Sequence, residues 1–143
     1  MLIEDKYSPI AVTVLRIALG TMFIAHSLYL KLIVFTLPGT AQFFESLGLP
    51  ASFAYLTFAL EAAGGIMLIL GLQARWVAIA LTPVLAGATW AHWGNGWMFG
   101  YENGGWEYPL YLTLLALCQF ALGDGRYVLS RSKGFVPPRR KQP

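Results

Sequence analysis

The sequence predicts an all-α membrane protein, a bundle of four transmembrane helices with a short amphipathic segment between the first and second helices. Of its 143 residues, 57% are hydrophobic and only 12% are charged, whereas soluble domains average about 25% charged residues. The apolar residues fall into four runs, each close to the length of about 20 residues with which an α-helix crosses a bilayer. These two observations exclude an ordinary soluble domain.

The run that organises the chain is Ser52–Gly71, SFAYLTFALEAAGGIMLILG, which carries one acidic residue, Glu61, near its middle. A run of this length with apolar residues on every face predicts the second transmembrane helix. A carboxylic acid at the centre of such a helix costs about 2.5–3.5 kcal/mol on insertion scales. We therefore expect Glu61 to be neutral, paired, or exposed to a wet cavity.

The first span is predicted at Ile10–Tyr29, after a short polar start, and it carries Arg16 and His26. Residues 31–51 are apolar in places but are interrupted by a Pro-Gly pair. That pattern is typical of a short amphipathic helix lying at the membrane interface.

The third span is predicted at Trp76–Trp93, with Pro83 tolerated inside it because neighbouring helices can satisfy the freed carbonyl. A glycine-rich aromatic loop follows at residues 94–107. The fourth span is predicted at Tyr108–Gly123. The only cysteine, Cys118, lies in this span and is predicted to be a buried packing residue.

The distribution of basic residues predicts the orientation. If both termini lie on one side, that side carries all the basic residues that border the spans except Lys31, and the positive-inside rule makes it cytoplasmic. These residues are Lys6, Arg75, Arg126, Arg131, Lys133, Arg139, Arg140 and Lys141. We therefore predict one transmembrane domain at residues 1–130 and a loosely ordered basic cytoplasmic tail at residues 131–143. No nucleic-acid-binding motif accompanies this basic charge, so nucleic acid is not a predicted partner.

Five polar residues in or beside the spans are candidates for function. Arg16 and Glu61 differ in predicted depth by about 7 Å, so an ion pair between them would relieve the burial cost of both. His26, His92 and Glu107 lie toward the outer end, where together with Glu61 they could line one outward-opening cavity.

Each candidate also has a structural interpretation. Arg16 could extend to the inner headgroups, and Glu61 could be a neutral acid bonded to a neighbouring helix. His26 and His92 could be interfacial anchors, proton carriers or, least favoured, ligands of a haem. Glu107 could simply favour the positive end of the fourth helix.

Several segments together resemble the DoxX family. They are LRIALGTMFIAHSLYLKL from Leu15, LGLP from Leu47, EAAGGIMLILGL from Glu61, GGWEYPLYL from Gly104 and GDGRYVL from Gly123. The resemblance runs in order over nearly the whole chain, from about Ser8 to Ser130. It implies a small bacterial inner-membrane protein of four helices, in a family associated with quinone-coupled sulfur and thiol redox chemistry and with oxidative-stress complexes.

The resemblance and the polar residues together favour a quinone-interacting redox subunit, although whether the chain is itself an enzyme stays open. The predicted catalytic residues are Glu61, His26 and His92. The predicted quinone pocket contains Arg16, Glu61, Trp90, Trp93 and Glu107. Quinone is the favoured cofactor, haem is disfavoured, and no metal site is predicted.

Two alternatives remain open. The protein could be a non-catalytic scaffold that holds a redox partner protein at the membrane, with the basic tail as a docking surface. It could also be a small proton-coupled transporter, which would require a homo-oligomer because four helices make a thin wall. In every case the lipid bilayer is the predicted surrounding.

Overall fold

The computed structural model describes residues 3–134, and within them the regular structure is helical, apart from one isolated bridge between Leu72 and Ser130. The chain therefore forms an all-helical protein, as predicted. Its elements in order are α1 (Ile3–Ile24), a π-helical segment (Ala25–Val34), α2 (Leu37–Ser46), α3 (Ala51–Leu70), α4 (Ala74–His92), a 3-10 turn (Trp93–Asn95) and α5 (Glu107–Leu122).

The first helix is longer at both ends than the predicted Ile10–Tyr29. It begins at Ile3, passes through Pro9, and continues without a break into the π-helical segment up to Val34. The carbonyl of Pro9 accepts hydrogen bonds from the Thr13 hydroxyl at 2.9 Å and from the Arg126 backbone N–H at 3.2 Å. The second of these contacts joins α1 to the segment after α5, and local sequence does not encode it.

The short helix predicted between the first two spans is present as α2. Thr36 precedes it with φ of 63°, and its hydroxyl accepts a hydrogen bond from the Gly39 backbone N–H at 3.2 Å, which caps the helix. The helix packs against α3 and the π-helical segment. Its position at a membrane interface stays a prediction.

Within residues 3–134, three helices are long and apolar enough to cross a membrane, namely Asp5–Val34, Ala51–Leu70 and Ala74–Asn95. The second agrees closely with the predicted Ser52–Gly71. Gly71 follows its last residue with φ of 68°, a left-handed conformation that glycine adopts with little strain. The fourth predicted span corresponds to α5, an apolar helix of 16 residues. It rises about 24 Å, which is shorter than a hydrocarbon core of about 30 Å. The four-span count therefore stays a prediction.

The helices pack mainly as two pairs, α1 against α3 and α4 against α5. Large buried side chains from α1, α3 and α4 form the centre of the core, among them Leu19, Phe23, Leu68, Leu81 and Leu85. Where α1 crosses α3, glycine faces glycine. A Cβ on Gly20 would lie 2.8 Å from the Gly65 carbonyl oxygen, and a Cβ on Gly65 would lie 3.0 Å from the Gly20 oxygen. The two backbones therefore approach to a distance that only glycine allows.

We expect Gly20→Ala to destabilise the fold by about 1–3 kcal/mol, because the added methyl group would meet the α3 backbone, which cannot move independently. Gly87→Ala is the matched control, since a Cβ there meets nothing within 4 Å. In a helix interior that change should stabilise by about 0.5–1 kcal/mol. Thermal melting of both variants in mild detergent measures the difference, and a Gly20→Ala protein at least as stable as the wild type would contradict the close approach.

The two ends of the described chain lie at the same end of the bundle, which we call the terminal end: the start of α1, the α3–α4 turn and residues 123–134. After α5 the chain runs back across the α3–α4 turn. Ser130 donates its N–H to the Gly71 carbonyl at 3.1 Å and accepts from the Gln73 N–H at 2.9 Å. The Lys133 carbonyl accepts from the Trp76 indole N–H at 2.9 Å. Tertiary hydrogen bonds therefore hold the first residues of the predicted loosely ordered tail, Arg131 and Lys133. Residues 135–143 of that tail lie outside the described residues.

Candidate functional site

Arg16 belongs to the terminal end and does not pair with Glu61. Its side chain is only 1% exposed. Nη1 donates to the Asp124 carbonyl at 2.9 Å, and Nη2 donates to the Tyr127 carbonyl at 3.1 Å. Arg16 therefore joins α1 to the segment that follows α5, and both earlier expectations, an ion pair with Glu61 and an extension toward headgroups, are wrong.

The register between α1 and α3 explains this correction. Gly20 lies opposite Gly65 and Ile69, so the antiparallel helices bring Arg16 beside Gly71. Gly71 is ten residues along the chain from Glu61, which corresponds to about 15 Å of helix rise. The predicted depth of Arg16 treated the first helix on its own, whereas its partner is decided by the register of α1 against α3, which places Arg16 beside Gly71.

Glu61 is instead paired with Lys31. The Lys31 Nζ lies 2.7 Å from Glu61 Oε2, and the two side chains are 16% and 7% exposed. Burial and pairing of Glu61 agree with the expectation that a central acid needs a partner, but Lys31 had been placed outside the spans. An ion pair this deeply buried requires both partners, because removing one leaves a charge in an apolar surrounding.

The π-helical segment brings Lys31 to this position. A π-helix bonds residues five apart, so residues i and i+5 lie on the same side of the helix. Lys31 is five residues after His26, and its ammonium also lies 3.5 Å from the His26 carbonyl oxygen. In an α-helix the same two residues would point in clearly different directions. The ion pair with Glu61 therefore depends on this local change of helix type.

One ring nitrogen of His26 forms a hydrogen bond within its own helix. Nδ1 donates to the Met22 carbonyl at 2.9 Å, so in the neutral imidazole Nε2 is the acceptor. The His26 and Tyr108 ring centroids lie 6.3 Å apart. This contact joins the π-helical segment to the start of α5.

His92 has the same arrangement at the end of α4. Its Nδ1 donates to the Ala88 carbonyl at 2.8 Å, which again leaves Nε2 as the acceptor in the neutral form. A Cβ on Gly104 would lie 3.5 Å from His92 Cδ2. His92 therefore packs against the glycine-rich loop. We call residues 93–107, which contain this loop, the loop end.

The loop end is a compact structure. The Trp93 and Trp106 rings stack with centroids 4.9 Å apart, and the backbone N–H of Trp106 donates to the Gly96 carbonyl at 3.1 Å. Trp90 is 57% exposed on α4. The tryptophans of the predicted pocket therefore do different things: Trp93 closes the loop, and Trp90 faces outward.

A groove of about 630 Å³ opens beside this loop and is lined by Phe99, Glu107, Tyr108 and Tyr111. The Phe99 and Tyr108 rings meet edge to face with centroids 5.3 Å apart. Glu107 Oε2 accepts a hydrogen bond from the Phe99 N–H at 3.3 Å. Glu107 therefore orients the loop against α5, and one carboxylate lies among three aromatic rings. We call this feature the aromatic groove.

The structure thus brings together only part of the predicted site. Glu107 lines the aromatic groove, and His26 contacts its Tyr108, while Lys31 connects Glu61 to the His26 backbone. Trp90, Trp93 and Arg16 do not line the groove.

Sequence reasoning missed Lys31, the partner of Glu61, and two residues that line the aromatic groove, Tyr108 and Tyr111. Lys31 could have been found as the only basic residue on its predicted side and therefore the natural counter-charge for Glu61. Tyr108 and Tyr111 are three residues apart in α5, a spacing that places side chains on one helix face.

No group of three or more residues of the metal-binding types comes together in the part of the chain that the structure describes. Cys118 is exposed on α5, so its predicted burial is wrong. Cys118 lies on the exposed face of α5 rather than in the core.

Asp124 organises the polar network of the terminal end. Oδ1 accepts from the Arg75 backbone N–H at 3.0 Å and from the Ser132 hydroxyl at 2.6 Å, and Oδ2 accepts from the Ser132 N–H at 2.7 Å. Burial acts to raise the pKa of this carboxyl, but the hydrogen bonds from Ser132 and Arg75 and the charge of Arg75 outweigh it, so the pKa lies below its ordinary value. Asp124 is therefore an ionised carboxylate that is bonded within the protein.

Comparisons with known proteins give a family match and a relative of similar sequence. The family model described as DoxX matches residues 11–93. The protein "Putative oxidoreductase CatD" of Bacillus subtilis (strain 168) is 36% identical over 84 residues, which cover 59% of this chain and 60% of that protein. The chain thus spans less than two thirds of this relative's length. No solved structure matches the chain significantly.

Proposed function

The chain belongs to the DoxX family, and on that premise we propose that it is a redox-associated membrane protein that binds a quinone in the aromatic groove. Its relative CatD carries the name of an oxidoreductase, which supports a redox role. Apolar helices of membrane-spanning length support a function within the bilayer, where quinones are dissolved.

The observation that carries the proposal is the aromatic groove itself. Its volume of about 630 Å³ lies within the range of about 300–1,000 Å³ typical of small-molecule sites. Phe99, Tyr108 and Tyr111 offer flat apolar faces for a ring, and Glu107 offers a carboxylate at the same place. An apolar aromatic wall fits a flat ring, and Glu107 in its protonated form can donate a hydrogen bond to a quinone carbonyl.

The residues around the groove also suit proton transfer. Quinone reduction takes up two electrons and two protons, so a quinone site needs groups that hold and release protons. Glu107 lies in the groove, and His26, whose Nε2 is the acceptor in the neutral ring, packs against Tyr108. We assign proton supply to these two residues. We assign to the Lys31–Glu61 ion pair an electrostatic effect on His26, which lies beside it. In this proposal the electrons come from a partner protein with thiol or sulfur redox chemistry.

The proposed membrane arrangement follows the sequence prediction. The protein lies in the bacterial inner membrane, with four crossing helices and the terminal end in the cytoplasm. The close packing of α5 along α4 supports its crossing as the fourth helix despite its 16 residues, since a short helix can be accommodated by local thinning of the bilayer. The aromatic groove then opens toward the outer side.

The proposal is tested by chromatography of the organic extract from protein purified in mild detergent. We expect quinone in the wild type and roughly tenfold less in Tyr111→Ala, because one wall of the groove is removed. Trp90→Ala is the matched control, an exposed aromatic residue outside the groove, and it should retain the quinone. Equal quinone in Tyr111→Ala and wild type would exclude the groove, and a wild type that binds no added quinone in nanodiscs would exclude the function.

A further inference from the structure

We propose that the terminal end contains a binding site for the phosphate headgroup of an anionic phospholipid. A pocket of about 620 Å³ opens there, and its lining includes Arg75, Arg126, Arg131, Asp124, Ser132 and Leu122. We call it the arginine pocket. It lies at the opposite end of the bundle from the aromatic groove and uses none of its residues.

The charge of the arginine pocket is positive. It contains three guanidinium groups and one carboxylate, and the oxygens of that carboxylate, Asp124, already accept hydrogen bonds from Ser132 and the Arg75 backbone. Asp124 therefore holds the wall of the pocket together, and the excess charge of the lining favours an anion. Arginine is the side chain whose planar set of donors best matches a phosphate.

Two of the arginines have guanidinium groups suited to contact a ligand. Both Arg126 and Arg131 are exposed. The Arg126 guanidinium lies 5.5 Å from the Tyr127 ring centroid, and Arg131 makes a long contact of 3.5 Å to the Gly125 carbonyl. Neither contact uses the full set of donors that an arginine side chain carries. Each can therefore turn hydrogen-bond donors toward a phosphate.

The backbone that carries these arginines is fixed in advance. The Arg126 N–H donates to the Thr13 hydroxyl at 2.6 Å and to the Pro9 carbonyl at 3.2 Å, and the Ser132 N–H donates to Asp124. The pocket is thus built from the start of α1, the start of α4 and the segment after α5. A site whose backbone is already held loses less conformational entropy on binding than a mobile loop does.

The surroundings of the pocket favour a lipid over a free phosphate. Leu122, which ends the apolar helix α5, lies in the pocket lining and is 58% exposed. Tyr127 and Leu129 follow close by and are 75% and 72% exposed. A ligand with a phosphate beside an apolar chain would contact the arginines and these apolar side chains together, which free phosphate cannot do. Basic pockets at the ends of membrane helices bind lipid headgroups in this way.

The test is native mass spectrometry of protein released from phosphatidylcholine nanodiscs prepared with and without phosphatidylglycerol. We expect the wild type to retain phosphatidylglycerol in preference to phosphatidylcholine, and Arg126→Gln/Arg131→Gln to lose at least about tenfold of that retention. The control is Lys6→Gln/Lys133→Gln, which removes the same charge from residues outside the pocket lining. It should retain the lipid.

The other outcomes overturn the proposal. Loss of lipid in both double variants would mean attraction to overall charge rather than to a site, and retention in the arginine variant would remove the pocket from binding. Thermal melting in neutral detergent provides a separate measurement. Phosphatidylglycerol should raise the melting temperature of the wild type but not of the arginine variant. Equal stabilisation by inorganic phosphate alone would identify a free anion as the ligand.

Discussion

Replacing Glu61 by glutamine is expected to destabilise the protein by about 3–5 kcal/mol, because the change leaves the Lys31 ammonium without its counter-charge in a largely buried position. Lys31→Gln should have a similar cost, since it leaves the carboxylate alone. The double variant Lys31→Gln/Glu61→Gln should recover most of the loss, because no buried charge remains and the two amides can bond to each other. Unfolding of the four proteins in detergent measures this double-mutant cycle. Costs that simply add would show that the two residues do not interact.

The same double variant separates structure from function at Glu61. A single Glu61→Gln protein that loses activity is ambiguous, because it is expected to lose stability as well. In the folded double variant, assayed together with its electron-donating partner protein, we expect quinone reduction to fall sharply. The reason is that the ion pair no longer contributes to the electric field at His26. Undiminished turnover in that protein would restrict the pair to a structural role.

Replacing Arg16 by methionine is the second change with a large expected effect. It should destabilise the protein by about 3–5 kcal/mol, because the carbonyls of Asp124 and Tyr127 would lose their charged donor. We also expect residues 123–134 to detach from α1, which would release the backbone at Arg126 and Arg131 from its hydrogen bonds and make it easier for trypsin to cleave. Melting temperature and the rate of tryptic cleavage at these two sites measure the effect.

Two variants serve as controls for Arg16. Arg16→Lys should fall between wild type and Arg16→Met, because one ammonium is a poor replacement for a planar group that bonds two separate carbonyls. Lys6→Met removes a positive charge from an exposed position on the same helix and should change neither melting nor cleavage. Wild-type stability in Arg16→Met would refute the role of Arg16 as the connection between α1 and the segment after α5.

The sequence by itself determined the class of the protein and the existence of its main helices. Hydropathy is a property of each segment on its own, so the runs around Ser52–Gly71 and Trp76–Trp93 could be recognised as helices without knowing their neighbours. The same reasoning predicted that Glu61 would be neutral, paired or exposed to a wet cavity, because the cost of burying a charge does not depend on which helix supplies the partner. It also placed Glu107 at the start of α5, where the structure has it.

Only the tertiary structure decided which residues meet. The contact between Gly20 and Gly65 sets the register of α1 against α3, and that register moves Arg16 to the terminal end. The change from α-helix to π-helix after Ile24 turns Lys31 toward Glu61. Both depend on contacts between segments distant in sequence or on a change in hydrogen-bond spacing, which hydropathy does not encode. The helices were therefore predictable one at a time, whereas the ion pair and the two pockets exist only where helices and loops come together.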